Sequence, residues 1–149
     1  MPFMLVTLTP GSYDHEARDR LAKLLTDAAA RAESVPDRPG PRSRALACIH
    51  ELPPGRFYSA GLPADDLVRG VFITLYVNAG VLDALRKAEL AAALQKAAEA
   101  SAPDQQRPVV TSAVIVEVPE GQWAQQGRIA RLPDIVGLAE FEHLAGAAL

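Results

Sequence analysis

Glu51-Leu52-Pro53-Pro54-Gly55-Arg56-Phe57 and Glu117-Val118-Pro119-Glu120-Gly121-Gln122-Trp123 carry one pattern at two places, and each is followed by a further glycine, Gly61 and Gly127. Acid, proline, glycine, aromatic and second glycine recur 66 positions apart, from Glu51 to Glu117 and so for each pair. Five matches at fixed spacing mark an internal duplication. Upstream of each copy lies a helical stripe. Leu21, Leu24, Leu25, Ala28 and Ala29 follow the i, i+3, i+4, i+7, i+8 period, and Leu90, Ala93, Leu94, Ala97 and Ala98 repeat it 69 positions later.

Strands flank both stripes. Phe3 to Thr9 is an apolar run broken by Pro10-Gly11-Ser12, with Ser12 offered as the cap of a helix from Tyr13 to about Glu33. Ser34 to Ser43 reads as an exposed loop whose Arg38 and Arg42 are solvated. Arg44 to Glu51 has the apolar density of a largely buried second strand. Phe57 to Gly61 reads as a short strand or hairpin arm, and Leu62 to Arg69 as the connection. Gly70 to Val77 then gives a third strand, Val81 to Ser101 the second helix, and Val109 to Val118 a fourth strand.

This order predicts an α+β fold: two β-α-β units with right-handed crossovers, pooled into one four-stranded mixed sheet with both helices on one face. The chain reads as one domain, with repeat 1 over about 2–61, repeat 2 over about 70–127, and a C-terminal segment over 128–149. In that segment Val136, Leu138, Phe141 and Leu144 suggest a docking helix or lid, with a disordered tail as the alternative. The second sheet face has nothing in the chain to cover it, so burial against further subunits is expected.

Composition narrows the function classes. A net charge of −3 over 149 residues supplies no basic field for nucleic acid. No run approaches the roughly 20 apolar residues of a membrane span, and no signal peptide is evident, so the cytoplasm is the expected compartment. Cys48 is the single cysteine, which excludes an intrachain disulfide, and the three histidines show no metal-ligand spacing. His50 is expected to be a satisfied partner late in a strand, and His15 and His143 to lie on helix surfaces. Neither a metal nor a cofactor is called for, since no phosphate loop, His-Glu-x-x-His or nucleophile elbow occurs.

Pro2 remains to be explained. If Met1 is trimmed, the chain starts with a secondary amine at the mouth of a buried strand. An α-amino group has a reference pKa of about 7.7 to 8.0, and apolar burial lowers it, so such an amine is a neutral base near pH 7. A base of that kind takes the proton alpha to a carbonyl and returns it to another atom of the conjugated system. A cation or hydrogen-bond donor must then hold the oxygen where charge develops. Arg44, Arg86 and Arg128 are the candidate cations, Gln125 a neutral donor, and Phe57 and Trp123 an apolar wall, although Trp123 at its repeat position also suits a core.

Pro2, the Pro10-Gly11 turn, Phe57 behind its Pro-Pro-Gly turn, and the stretch from Glu117-Val118-Pro119 to Gly127-Arg128 together resemble the tautomerase superfamily, over about residues 2 to 132. The length is similar to that of its fused two-unit members. The resemblance implies a homotrimer, no cofactor, and a small keto or enol acid as substrate, with Pro2 as general acid and base. Departures are present as well. Ser12 and Leu46 stand where short members carry arginines, and Asn78-Ala79-Gly80-Val81 holds none of the arginines by which fused dehalogenases and decarboxylases grip a carboxylate. Gln125 replaces a water-activating glutamate, which argues against hydrolytic dehalogenation. The alternative is a tautomerase-fold binding or assembly protein. The second repeat has Val71 where the first has Pro2, so each chain has one such amine.

Overall fold

The structure is a computed structural model in which residues 2–140 are described. Phe3–Leu8 forms β1, His15–Ala32 α1, Pro39–Arg42 a one-turn α2, and Leu46–Glu51 β2. A two-stranded hairpin, Tyr58–Ser59 (β3) with Leu62–Pro63 (β4), precedes β5 at Arg69–Asn78 and α3 at Ala84–Ser101. Val109–Val118 is β6, Trp123–Gln125 and Arg128–Ala130 are the hairpin β7–β8, and Leu132–Ala139 is α4.

The main sheet has the order β2-β1-β5-β6. β1 is parallel to β2, β5 is parallel to β6, and the two central strands run antiparallel with Phe3 opposite Tyr76 and Leu8 opposite Val71. Alternation along the strands decides the faces. Met4, Val6 and Leu8 from β1 and Val71, Ile73, Leu75 and Val77 from β5 join Leu21, Leu25, Leu90 and Leu94 of the two long helices in one buried cluster. Each such leucine contributes about 2 kcal/mol by leaving water. The opposite face carries Leu5, Leu46, Val110 and Val114, all exposed in the isolated chain.

The β-α-β repeat is visible in the local chemistry. α1 and α3 both span 18 residues. Asp14 caps the first through the Ala17 N–H, and Asp83 caps the second through the Arg86 N–H, both at 2.8 Å. Ser12, the cap read from sequence, instead hydrogen-bonds Thr9, because the chain turns two residues later than its pattern suggests. α1 closes with Ser34 at φ 53 and the Val35 N–H on Ala30 O, a left-handed stop that satisfies a terminal carbonyl. The hairpin turns match too: Ala60-Gly61 and Gln126-Gly127 all have positive φ, the geometry that lets two residues reverse a twisted strand pair.

Several expectations are corrected. The segment before β2 is not only loop, since Pro39 starts α2. Its arginines are not merely solvated: Arg42 pairs with Asp27 and Asp37, and Arg38 with Glu140. β2 is a half-exposed edge strand rather than a largely buried one. The third strand takes in Arg69, which is buried with its guanidinium on Ser12 O and Asp104, 5.9 Å from the Tyr13 ring centroid. The C-terminal helix is present as α4, with Ile135 and Val136 buried, while Phe141, Leu144 and His143 lie outside the described residues.

Candidate active site

Pro2 is buried at the head of a central strand, and its carbonyl accepts the Leu46 N–H at 3.0 Å. The sheet register brings four strand ends to it. β1 and β2 begin at this edge, while β5 and β6 finish there, with Tyr76 opposite Val116 and Asn78 opposite Val118. The chain leaving β6 then folds back as the β7–β8 hairpin. A cavity of about 500 Å³ results, lined by Pro2, Phe3, Tyr76, Arg44, Trp123 and Gln125 among others. Its wall is aromatic, with the Phe3 and Tyr76 rings stacked at 6.1 Å between centroids.

Arg44 is the cation of this cavity. Its Nε is buried and makes no hydrogen bond among the described residues, a cost that an incoming acceptor would remove. Sequence equivalence places no arginine within β2, yet Arg44 stands two residues ahead of Leu46 and reaches the same end. Gln125 and Trp123, both half-buried, share the cavity, so Trp123 is a wall residue and not core.

The remaining candidates lie elsewhere. Arg128 is exposed and lines an adjoining hollow of about 980 Å³, to which Arg44 and Gln125 also contribute. Arg86 is committed to the end of α1, where Nη1 donates to Ala32 O at 2.8 Å and Ser34 Oγ at 2.7 Å. Phe57 packs on Phe72 at 5.5 Å between centroids. Phe72 pairs with Thr7, five residues along β1 from Pro2 and so about 16 Å away within one chain. His50 is exposed and bonded to Thr7 Oγ1 at 3.0 Å, and His15 pairs with Asp19 on a helix surface. Among the described residues no group of three or more His, Cys, Asp or Glu is arranged to hold a metal, and no helix is long and apolar enough to cross a membrane.

Two polar residues at the same end escape the sequence patterns. Asn78 closes β5, is only 7% exposed, and its Nδ2 has no hydrogen-bond partner among the described residues. Glu33, the C-cap of α1, is 1% exposed. Burial raises its carboxyl above the ordinary carboxylate range. Neither residue belongs to a local motif. Their burial comes from elements distant in sequence, and only the register reveals it.

No protein-family profile matches the chain, and no curated protein matches it in sequence. Solved structures do match in shape. A fused 4-OT that forms a symmetric trimer superposes with a TM-score of 0.68 at 22% identity, covering 86% of this chain and 95% of its own. Pt0534 inactivated by 2-oxo-3-pentynoate gives 0.67 at 19%, covering 86% and 94%. A member of the cis-3-chloroacrylic acid dehalogenase family gives 0.65 at 21%, covering 85% and 82%. The chain therefore has the tautomerase-superfamily fold.

Proposed function

We propose that the protein is a cofactor-independent tautomerase of a small enolisable keto acid, with the Pro2 amine, released by removal of Met1, as general acid and base. The observation that carries this is the shared cavity: the proline at the head of a central strand and a cation with an unsatisfied buried donor line one apolar hollow. Arg44 holds the substrate carboxylate by charge-assisted hydrogen bonds. The amine breaks the C–H bond alpha to the carbonyl, and the electron pair moves onto oxygen, where Gln125 in the cavity wall can donate. The proton then returns to another position of the enolate. A homotrimer is part of the proposal, since the open sheet face is apolar and the fused 4-OT structure is a trimer.

The test is ketonisation of a phenylpyruvate-type enol by the wild type and by Pro2→Ala. Loss of at least about a hundredfold in rate is expected, the scale of a general base. Full activity in Pro2→Ala ends the proposal.

A binding or assembly role is the second reading. It is favoured by Arg86, whose guanidinium closes a helix instead of facing the Pro2 cavity. Intact mass separates the two, because retained Met1 makes the Pro2 nitrogen an amide without useful basicity.

A further inference from the structure

The Pro2 cavity is larger than the proton chemistry needs. The carboxylate, the carbonyl and the carbon that loses its proton are three consecutive carbons of a 2-keto acid, whereas a volume of about 500 Å³ encloses a ligand of many more. The surplus space belongs to whatever the substrate carries on its third carbon, and the lining residues say what that group is.

Arg44 is the one charged side chain among the described residues that line this cavity, and Gln122 and Gln125 are neutral. Arg44 and Gln125 also line the adjoining hollow of about 980 Å³, to which Pro2, Phe3, Tyr76 and Trp123 do not contribute. These two side chains are therefore the partition between the spaces. A carboxylate on Arg44 rests against that partition, with the third carbon at the Pro2 nitrogen. A chain that runs from Arg44 to Pro2 continues away from Arg128, toward Val118 and the three aromatic rings.

That side suits a flat, apolar group. Phe3 and Tyr76 face each other across the β1–β5 pair, their ring planes inclined by 29°, and make one ring surface. Trp123 joins it from the β7–β8 hairpin, where pairing with Ala130 fixes its place. A hydrocarbon gains by leaving water against such a wall, and an aromatic one gains further from ring packing. A second carboxylate there loses its hydration and meets no cation, since Arg128 lies beyond the partition.

We infer that the substrate is a 2-keto monoacid with a flat, apolar group on its third carbon, that diacids are rejected, and that Trp123 sets this preference. The inference rests on the tautomerase proposal and narrows it. Removal and return of the proton stay with Pro2, and Trp123 touches only the substituent.

The experiment is deuterium exchange at the third carbon in heavy water, followed by proton NMR, for three 2-keto acids whose substituent there is hydrogen, phenyl or carboxymethyl. Each kcat/KM is divided by the buffer-catalysed rate constant of the same acid, which removes differences in C–H acidity. The wild type is expected to favour phenyl over hydrogen by about tenfold or more, the range of discrimination by an apolar pocket, and to place carboxymethyl below hydrogen. Trp123→Arg should raise carboxymethyl relative to phenyl by about tenfold or more through a charge-assisted hydrogen bond. If that variant does not fold, Trp123→Gln takes its place, and its preference for phenyl over hydrogen should fall to within about threefold. A wild type that takes carboxymethyl as readily as phenyl overturns the inference and leaves the tautomerase proposal standing, because the proton is still exchanged. Unchanged ratios in the folded variant overturn the part given to Trp123. A wild type that exchanges none of the three acids, or a fully active Pro2→Ala, removes the tautomerase proposal and this inference with it.

Discussion

The Glu51 carboxylate accepts the backbone N–H of Gly11 at 2.7 Å, and Glu117 stands in the same relation to Gly80 at 3.5 Å. Each acid also takes a cation from the helix that follows that glycine, Arg18 for Glu51 and Lys87 for Glu117. Here the repeated acid of the opening pattern finds its purpose: it ties the end of an outer strand to the turn leaving the central strand beside it. The Lys87 hydrogen bond and the Gly80 N–H hold the Glu117 carboxyl below its ordinary value against a smaller desolvation effect. Its contribution is thus present above the unfolded carboxylate range and is lost as pH falls through the depressed folded value. Glu117→Gln should destabilise the fold at neutral pH by less than about 1 kcal/mol for so exposed a pair, and so lower Tm slightly. The gap between variant and wild type should close in acid, as followed by thermal melts across pH.

Tyr13 joins the start of α1 to the end of α3, its hydroxyl donating to Ala98 O at 3.0 Å. Burial, only partly offset by the nearby Arg69, pushes its pKa up to about 12 from 10. Stability from the neutral phenol is full below pH 10 and drains away as pH rises through about 12. Tyr13→Phe is expected to cost about 1 kcal/mol, as deletion of one buried hydrogen bond does, and to abolish that alkaline loss. Tyrosinate absorbance and urea melts check both.

Much of this was legible in the chain. Fixed spacing from Glu51 to Glu117 and from Leu21 to Leu90 gave the two units, because duplication writes itself into local residues. What failed to show has a common cause. Trp123 suits either a wall or a core from its pattern alone, and only the hairpin folding back over the sheet end puts it in the cavity wall. Arg42 looked solvated and is paired to Asp27, fifteen residues earlier. Arg44 was one cation among three until the register put it beside Pro2, and Glu33 drew no notice because its burial depends on elements distant in sequence.

Arg44→Leu should raise KM for a keto acid roughly tenfold to a hundredfold, the worth of a charge-assisted hydrogen bond. Arg128→Ala, removing an exposed cation outside the Pro2 cavity, should change KM by less than about threefold. Steady-state kinetics on paired substrates with and without a carboxylate separate the effects. The Arg44 loss should vanish when the carboxylate is absent.

Val114 and Leu46 sit on the open sheet face, 58% and 52% exposed in the single chain. Burying a lysine there without a counter-charge is costly, while on a free monomer surface it costs little. Val114→Lys is therefore expected to reduce the mass in light scattering from three chains to one while leaving the far-UV spectrum intact. An unchanged trimer, or a wild type that is already monomeric, contradicts the assembly.

The central claim is that Pro2 carries a free, nucleophilic amine inside the Arg44 cavity. Treatment with 2-oxo-3-pentynoate followed by peptide mapping measures this most directly, because an electron-poor alkyne adds to an unprotonated amine. The account predicts one adduct per chain, located on Pro2, absent in Pro2→Ala and accompanied by loss of activity. A chain that retains Met1, or an adduct on any other residue with Pro2 unmodified, contradicts it.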